Sequence, residues 1–319
     1  LEALMHKNHP SNLVDSTKLG RAKRIEDAAG RYLEFVKSTF PDKFSLKNLK
    51  IVIDCANGAA YQVAPRALWE LGAEVISIGC DPDGTNINHK CGSTHPNLMA
   101  KMVKKHKADI GIALDGDADR CIICDEKGNF IHGDKIIGLI AKRYLDQGIL
   151  KGNSIIGTKM TNKGLENYLN SLDLDLIRTN VGDRYVVEEM RKSGCNIGGE
   201  QSGHIILGEY GSTGDGLVAS LQIIASMVEK NIKVSKLVNI FSLMPQTIES
   251  ISYNNKDYKY KNSDHFIKEK IKKHEQKLGD EGRIIIRASG TENKLRIMGE
   301  CKNKTLLNNT LKKLKIEII

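Results

Sequence analysis

Hydrophobic positions divide the chain into an opening helix, two long alternations of strand and helix, and a short closing unit. Residues 1 to 16 are polar and irregular, and from 17 to 40 the apolar positions Ile25, Ala29, Tyr32, Leu33 and Val36 recur at helical spacing until Pro41 and Asp42 end it. This predicts an amphipathic helix with no sheet of its own upstream, so its apolar face should pack on a later unit or on something outside the chain. The continuous run Lys50-Ile51-Val52-Ile53-Asp54-Cys55 predicts a buried strand, Asn57-Gly58 a break, and the stretch to Gly72 a helix. A strand from Ala73 to Ile78, a polar loop from Gly79 to His95, a helix marked by Leu98, Met102 and Val103, and a strand over 108 to 114 follow. A hairpin over 120 to 131 closes this unit.

The alternation then repeats. A helix carrying Ile136, Ile137, Ile140, Tyr144 and Leu145 starts at Asp134, an acidic N-cap candidate. Strand Ser154 to Gly157, helix Leu165 to Leu172, strand Leu174 to Arg178, helix Tyr185 to Arg191 and strand Cys195 to Gly198 succeed it. After a glycine-rich loop, Leu217 to Val228 reads as a helix with Leu221, Ile224 and Ala225 on one face. From Gln246 the order becomes strand (Thr247 to Tyr253), lysine-rich helix (Phe266 to Leu278), two strands (Arg283 to Arg287, Leu295 to Glu300) and a last helix, with 254 to 262 a solvated loop. The expected fold is α/β: two consecutive doubly wound mixed α/β domains, residues 42–131 and 132–244, followed by a small α+β C-terminal domain, 245–319, with residues 1–41 leading in.

Composition narrows the function classes. With 40% hydrophobic and 27% charged residues the 319-residue chain has the make-up of a soluble globular protein, and no apolar run approaches the ~20 residues that span a bilayer. No signal-like start is present, so a cytoplasmic location and no membrane partner are expected. Seven cysteines, an odd number scattered through strands and loops, argue for a reducing compartment. Cys121 and Cys124 would point to opposite faces of one strand, which suits ordinary strand residues better than a metal or redox pair. The net charge of +9 is spread along many helices and aromatics are only 5%, so no nucleic acid is expected, and anionic small substrates fit the charge.

Three loops carry chemistry. Asp115-Gly116-Asp117-Ala118-Asp119-Arg120 sets three carboxylates at alternate positions behind a buried strand, the oxygen-rich arrangement that suits Mg2+. An acidic surface turn is the plain alternative. An EF-hand loop is a poorer one, because Arg120 stands where the turn glycine belongs and a strand follows, although Glu126 falls where the last ligand would be. In Gly198-Gly199-Glu200-Gln201-Ser202-Gly203-His204, Glu200, Ser202 and His204 alternate, so an extended loop would turn all three toward one polyol ligand; an incidental tight turn explains the spacing as well. In Arg287-Ala288-Ser289-Gly290-Thr291-Glu292-Asn293-Lys294-Leu295-Arg296, two arginines flank a Ser-Gly-Thr turn that can wrap phosphate oxygens, against an ordinary charged hairpin. Val181-Gly182-Asp183-Arg184 is a further strand-to-helix turn, with Gly182 and Asp183 as substrate-binding candidates and a surface salt bridge as the alternative.

In this order the loops resemble the α-D-phosphohexomutase superfamily across essentially the whole chain, and Gly30 to Phe35, Cys91 to Pro96 and Gln201 look like its glucosamine branch. The resemblance implies an isomerase that interconverts glucosamine 6-phosphate and glucosamine 1-phosphate through a phosphoserine and a bisphosphate, with a hexosamine phosphate as partner. It implies Mg2+ on Asp115, Asp117 and Asp119, Arg120 beside the reacting phosphoryl group, and His204 as a proton-transfer group. Glu200 and Ser202 would hold sugar hydroxyls, and Arg287, Ser289, Gly290, Thr291 and Arg296 the phosphate that does not react. Ala288 and Asn293 stand where the family more often has proline. Its Ser-His-Asn-Pro type loop is absent, since His9-Pro10-Ser11-Asn12 and Thr94-His95-Pro96-Asn97 only share letters with it. Residues 1–41 are therefore expected to hold the C-terminal helix of a missing first domain, supplied in cis or as another chain, and this polypeptide is expected to be inactive alone. A homodimer is a further expected association. The alternatives are a phosphomannomutase or phosphoglucomutase, and a non-catalytic sugar-phosphate-binding fragment.

Overall fold

The structure, a computed structural model, describes residues 14–252, 265–279, 282–288 and 294–318. The expected loop at 254–262, the candidates Ser289, Gly290 and Thr291, and His9 to Asn12 lie outside the described residues.

Helix α1 (Ala28–Ser38) is the first α-helix among the described residues. It is shorter than its sequence pattern predicts: a 3-10 turn covers Ser16–Lys18, and Ile25 is 62% exposed. Residues 19 to 27 are exposed, and a helix without burial does not recover the cost of its nucleation. From Tyr32 onward the apolar face does find its partner on the later units. Leu33, Val36 and Phe40 are buried, and the Gln222 amide donates to the Thr39 carbonyl at 3.0 Å.

The first sheet has the order β2-β1-β3-β4-β5, built from β1 (Lys50–Asp54), β2 (Glu74–Ile78), β3 (Ile110–Leu114), β4 (Cys121–Asp125) and β5 (Phe130–Ile131). The first three run parallel through crossover helices α2 (Val63–Glu70) and α3 (Asn97–His106), and the last two are antiparallel. Alternate strand residues feed opposite cores. Ile51 and Ile53 pack in the core that holds Ala64 and Leu68 of α2, whereas Val52 packs with Met99 and Val103 of α3. Cys121 and Cys124 divide between the same two cores as free thiols, as the strand alternation predicts.

The second unit has the order β7-β6-β8-β9, from β6 (Ser154–Thr158), β7 (Asp175–Thr179), β8 (Ile197–Gly199) and β9 (Ile205–Leu207). Its helices are α4 (Gly133–Asp146), α5 (Lys163–Asn170), α6 (Asp183–Ser193), α7 (Gly216–Lys230) and the short α8 (Val234–Leu237). Two expectations change here. The α4 N-cap is His132, whose Nδ1 accepts the Asp134 amide at 3.3 Å, while Asp134 is fully buried in the first turn and its Oδ2 accepts the Asn162 amide at 2.7 Å. Helix α7 is not one-sided. Every residue from Gly216 to Met227 is buried, because the helix is wedged between β3 and β4 of the first unit and β9 and α4 of the second. One continuous core, reaching from Leu33 to Val238, therefore joins both α/β units.

The last unit sets β10 (Gln246–Ser252), β12 (Lys294–Glu300) and β11 (Arg283–Ala288) antiparallel, in the order β10-β12-β11, against α9 (His265–Leu278) and α10 (Lys304–Ile318). Ile251, Ile284, Ile286, Leu295 and Ile297 face the helices and form a separate core with Leu307 and Leu311. The opposite sheet face carries the polar groups that meet the second unit. Arg283 donates to the Lys159 carbonyl at 2.9 Å and to the Thr161 carbonyl at 2.5 Å, and it pairs with the fully buried Glu300. Glu300 also accepts from Gln246 at 3.0 Å.

Candidate active site

The carboxylate loop leaves the C-terminal edge of β3, the edge at which open α/β sheets bind ligands. Its turn is tight: the Ala118 amide donates to the Asp115 carbonyl at 3.1 Å, and Ala118 holds a left-handed φ of 61° although it is not glycine. Asp115 Oδ1 accepts the Arg120 amide at 3.1 Å, closing the loop. One ligand oxygen from each of Asp115, Asp117 and Asp119 lies within 4.8 Å of the others. Asp115 is buried while Asp117 is exposed, so the cluster opens to solvent at one end. Burial, with Asp119 and Asp117 adding to it against the Arg120 amide, pushes the Asp115 carboxyl up to about 6. Arg120 does not neutralise the trio closely, because its Nε stands 3.9 Å from Asp115 and 3.7 Å from Asp119. Three convergent carboxylates with one buried Asp119 oxygen lacking a hydrogen-bond partner are the donor set a hard divalent cation needs. The EF-hand alternative fails on geometry. Strands flank the loop, and Glu126 is turned away to Ser235, which it meets at 2.5 Å through the hydroxyl and 3.2 Å through the amide.

The loop after β8 is a tight hairpin rather than an extended segment. Glu200 and His204 exchange a backbone bond of 2.8 Å, the Gly203 amide donates to the Glu200 carbonyl at 3.0 Å, and Gly203 sits at φ 92° against the Cys121 carbonyl, where a Cβ would collide. Glu200, Ser202 and His204 therefore do not face one way, contrary to the alternation in the sequence. His204 is 2% exposed and turns back to the carboxylate loop, its Nδ1 3.1 Å from Asp119 Oδ2 and its backbone bridged to Arg120. Glu200 and Ser202 instead line a cleft of about 200 Å³ between the second and third units.

Across that cleft stand Arg287 and Arg296, directly opposite each other in the β11/β12 register and both among the lining residues. Like charges paired across a ladder are destabilising in themselves, a cost that a bound anion would offset. Arg287 Nε is buried without a hydrogen-bond partner among the described residues, and burial followed by Arg296 pulls its guanidinium below the ordinary arginine range while Glu200 opposes this. The 181–184 turn contributes differently from its candidates. Val181 lines the cleft, the Gly182 amide is taken by Glu200 Oε1 at 3.0 Å, and Asp183 is exposed in the first turn of α6. Arg184 lies 4.9 Å over the Tyr185 ring.

Five further residues line the cleft without having been singled out from sequence: Thr158, Met160, Ile248, Ile285 and Met298. Thr158 ends β6 and was findable by the strand-edge rule. Ile248, Ile285 and Met298 alternate with Arg287 and Arg296 on one sheet face, which only the strand register reveals.

Comparison with known proteins follows the same three-part division. The profile of the phosphoglucomutase/phosphomannomutase alpha/beta/alpha domain II matches residues 30–128, that of domain III residues 132–244, and that of the C-terminal domain residues 229–315. A phosphoglucosamine mutase of Caulobacter vibrioides is 52% identical over 98% of this chain and 69% of its own length, and one of Parvibaculum lavamentivorans is 51% identical over the same shares. The N-acetylphosphoglucosamine mutase of Aspergillus fumigatus, solved with GlcNAc-6P and magnesium, superposes with a TM-score of 0.74 at 20% identity, covering 93% of this chain and 67% of that one. A phosphoglucomutase/phosphomannomutase family protein of Burkholderia thailandensis gives 0.74 at 22% identity, covering 91% and 64%.

Proposed function

From the premise that this chain belongs to the phosphoglucosamine mutase family of phosphosugar mutases, we propose that its site serves the interconversion of glucosamine 6-phosphate and glucosamine 1-phosphate, through a phosphoserine and a bisphosphate. The supporting observation is the hairpin from Gly199 to Ile205. At its tip it presents Glu200 and Ser202 to the cleft, and at its base it seats His204 on the carboxylate loop, so one short segment links an acidic cluster to an arginine pair. A ligand with phosphate at one end, hydroxyls in the middle and a reacting phosphoryl group at the other matches that sequence of chemistries.

Residues 42–131 then carry the cation seat, 132–244 the sugar seat and 245–319 the anion seat. Asp115, Asp117 and Asp119 would hold Mg2+, the ion in the Aspergillus fumigatus structure. Bound there, it would offset charge on a phosphoryl group in transfer. Arg120, 46% exposed at the mouth of the loop, can approach such a group with a guanidinium. Glu200, already fixed by the Gly182 amide, orients sugar hydroxyls with Ser202 beside it. Arg287 and Arg296 hold the phosphate that does not react. His204, with Nδ1 3.1 Å from Asp119 Oδ2, stands at the carboxylate loop, where it can orient Asp119 and serve as the proton-transfer group.

The phosphoryl-carrying serine is not among the residues this site brings together, and the curated relatives are longer than this chain. Mutase activity on glucosamine phosphates is expected where these residues stand together with the phosphoryl-carrying serine. Faster turnover of mannose or glucose phosphates than of glucosamine phosphates would overturn the sugar assignment. Asp117→Ala should abolish Mg2+ binding by calorimetry, and an unchanged affinity would remove the carboxylates from the role.

A further inference from the structure

The carboxylate loop is held from behind by a segment of the second unit. The Gly216 amide donates to the Ala118 carbonyl at 2.9 Å, at the left-handed residue that bends the loop. Gly214 and Gly216 lie so close to the Asp119 and Arg120 carbonyls that a Cβ would stand 2.7 and 2.6 Å from them. Between the two glycines is Asp215, the N-cap of α7, whose Oδ1 accepts the Leu217 amide at 3.0 Å and the Val218 amide at 2.9 Å. The same carboxylate accepts a bond from the Tyr32 hydroxyl of α1, at 3.0 Å to Oδ2 and 3.2 Å to Oδ1. Tyr32 and Asp215 are 183 residues apart, and neither touches the carboxylate trio's ligand oxygens or the cleft.

We propose that Tyr32 and Asp215 are positioning residues: together they fix the Gly214–Gly216 segment against Ala118 to Arg120 and so preset the spacing of the three carboxylates. A carboxylate that only capped α7 would need its two amide bonds and no phenol. The third bond comes from a helix that lies before both α/β units in the chain, and it ties the segment to that helix. Loss of the phenol leaves the cap in place and frees Asp215 to swing about it. The effect then passes through the Gly216 amide to the residue whose backbone bends the loop. A hydrogen bond to a charged group is among the stronger ones a protein makes, enough to hold one of two arrangements of a short loop.

The inference rests on the reading of Asp115, Asp117 and Asp119 as cation ligands only in its consequence for affinity, and its test separates the two. Amide hydrogen exchange over 115–120 is measured on the metal-free chain, with Mn2+ titration by calorimetry alongside. In Tyr32→Phe, exchange over 115–120 is expected to quicken by about threefold to tenfold while the end of α7 near Met227 keeps its protection. Mn2+ affinity should fall by a similar factor. Asp215→Asn, whose one oxygen keeps the cap while an amide NH2 replaces the Oδ2 that accepts from the phenol, should quicken exchange over 115–120 as Tyr32→Phe does. Lys37→Met, which removes the α1 ion pair with Glu70 and leaves Tyr32 alone, serves as the control for general loosening of α1. Unchanged exchange in Tyr32→Phe, or equal acceleration in Lys37→Met, would overturn the proposal. If the parent chain binds no Mn2+ yet Tyr32→Phe still quickens the loop, the cation reading fails and the positioning role stands.

Discussion

At the scale of single residues, burial decides which polar groups act on the ligand and which act on the protein. Arg296 shares the cleft with Arg287, and a charge-assisted contact to a phosphate contributes roughly 1.5 to 3 kcal/mol. Arg296→Ala should therefore weaken glucosamine 6-phosphate binding by about tenfold to a hundredfold in calorimetry. Asp134 acts inward. Burial raises its carboxyl from 3.8 to about 7, with Glu300 adding to the rise and the Asn162 amide, Arg178 and Arg283 opposing it. Because the folded value lies above the unfolded one, the folded chain binds the extra proton between those limits. The Asp134 contribution is thus full below pH 3.8 and is lost as pH climbs through about 7. Asp134→Asn keeps an acceptor for Asn162, so its melting temperature relative to the parent should rise steadily between those pH values and level off above them. A difference that does not move with pH would show that Asp134 is not the titrating group. The sequence marked Asp134 only as a cap, because a cap signal is local, whereas the Asn162 amide and the Glu300 charge that act on the group come from far along the chain.

At the scale of elements, strand order was legible and the contacts between units were not. The run 50–55, the alternation after 134 and the two arginine-bearing strands were all findable from apolar period and turn residues. Helix α1 was overextended because its pattern continues past the last residue that has anything to pack on. The hairpin at 200–204 was read as extended because alternation of polar residues cannot distinguish a strand from a tight turn through Gly203. Asn162 shows how such joints are stabilised. It caps α5 through a 2.8 Å bond to the Gly164 amide, while its side chain also accepts from the Met244 amide at 2.8 Å and donates to the Met244 carbonyl at 3.0 Å. Asn162→Ala would strand all three groups in a buried position, and should cost about 2 to 4 kcal/mol in urea unfolding. A loss below 0.5 kcal/mol, on the order of a surface change, would mean water replaces the amide.

At the scale of the whole molecule, two hydrophobic bodies meet through a polar joint. The two α/β units share one core, whereas the C-terminal sheet and helices have their own, and Arg283, Gln246 and Glu300 connect the two through Lys159, Met160 and Lys163. Denaturant unfolding should accordingly show two transitions. Leu311→Ala, a truncation inside the C-terminal core, should lower only one of them by about 2 to 5 kcal/mol, and a single transition shifted as a whole would contradict the division.

The shared core also sets how the molecule can measure a ligand. The acidic cluster and the sugar hairpin are two marks on one rigid rule, since α7 is wedged between their units on every side. The arginine pair rides on a separate body, joined among the described residues by Arg283, Gln246 and Glu300 to residues 159–163 after β6. Such a construction works as a caliper with one fixed jaw: lengthening or shortening the ligand should move the arginines alone, and selection for a longer or shorter substrate would fall on the 159–163 joint rather than on the carboxylates.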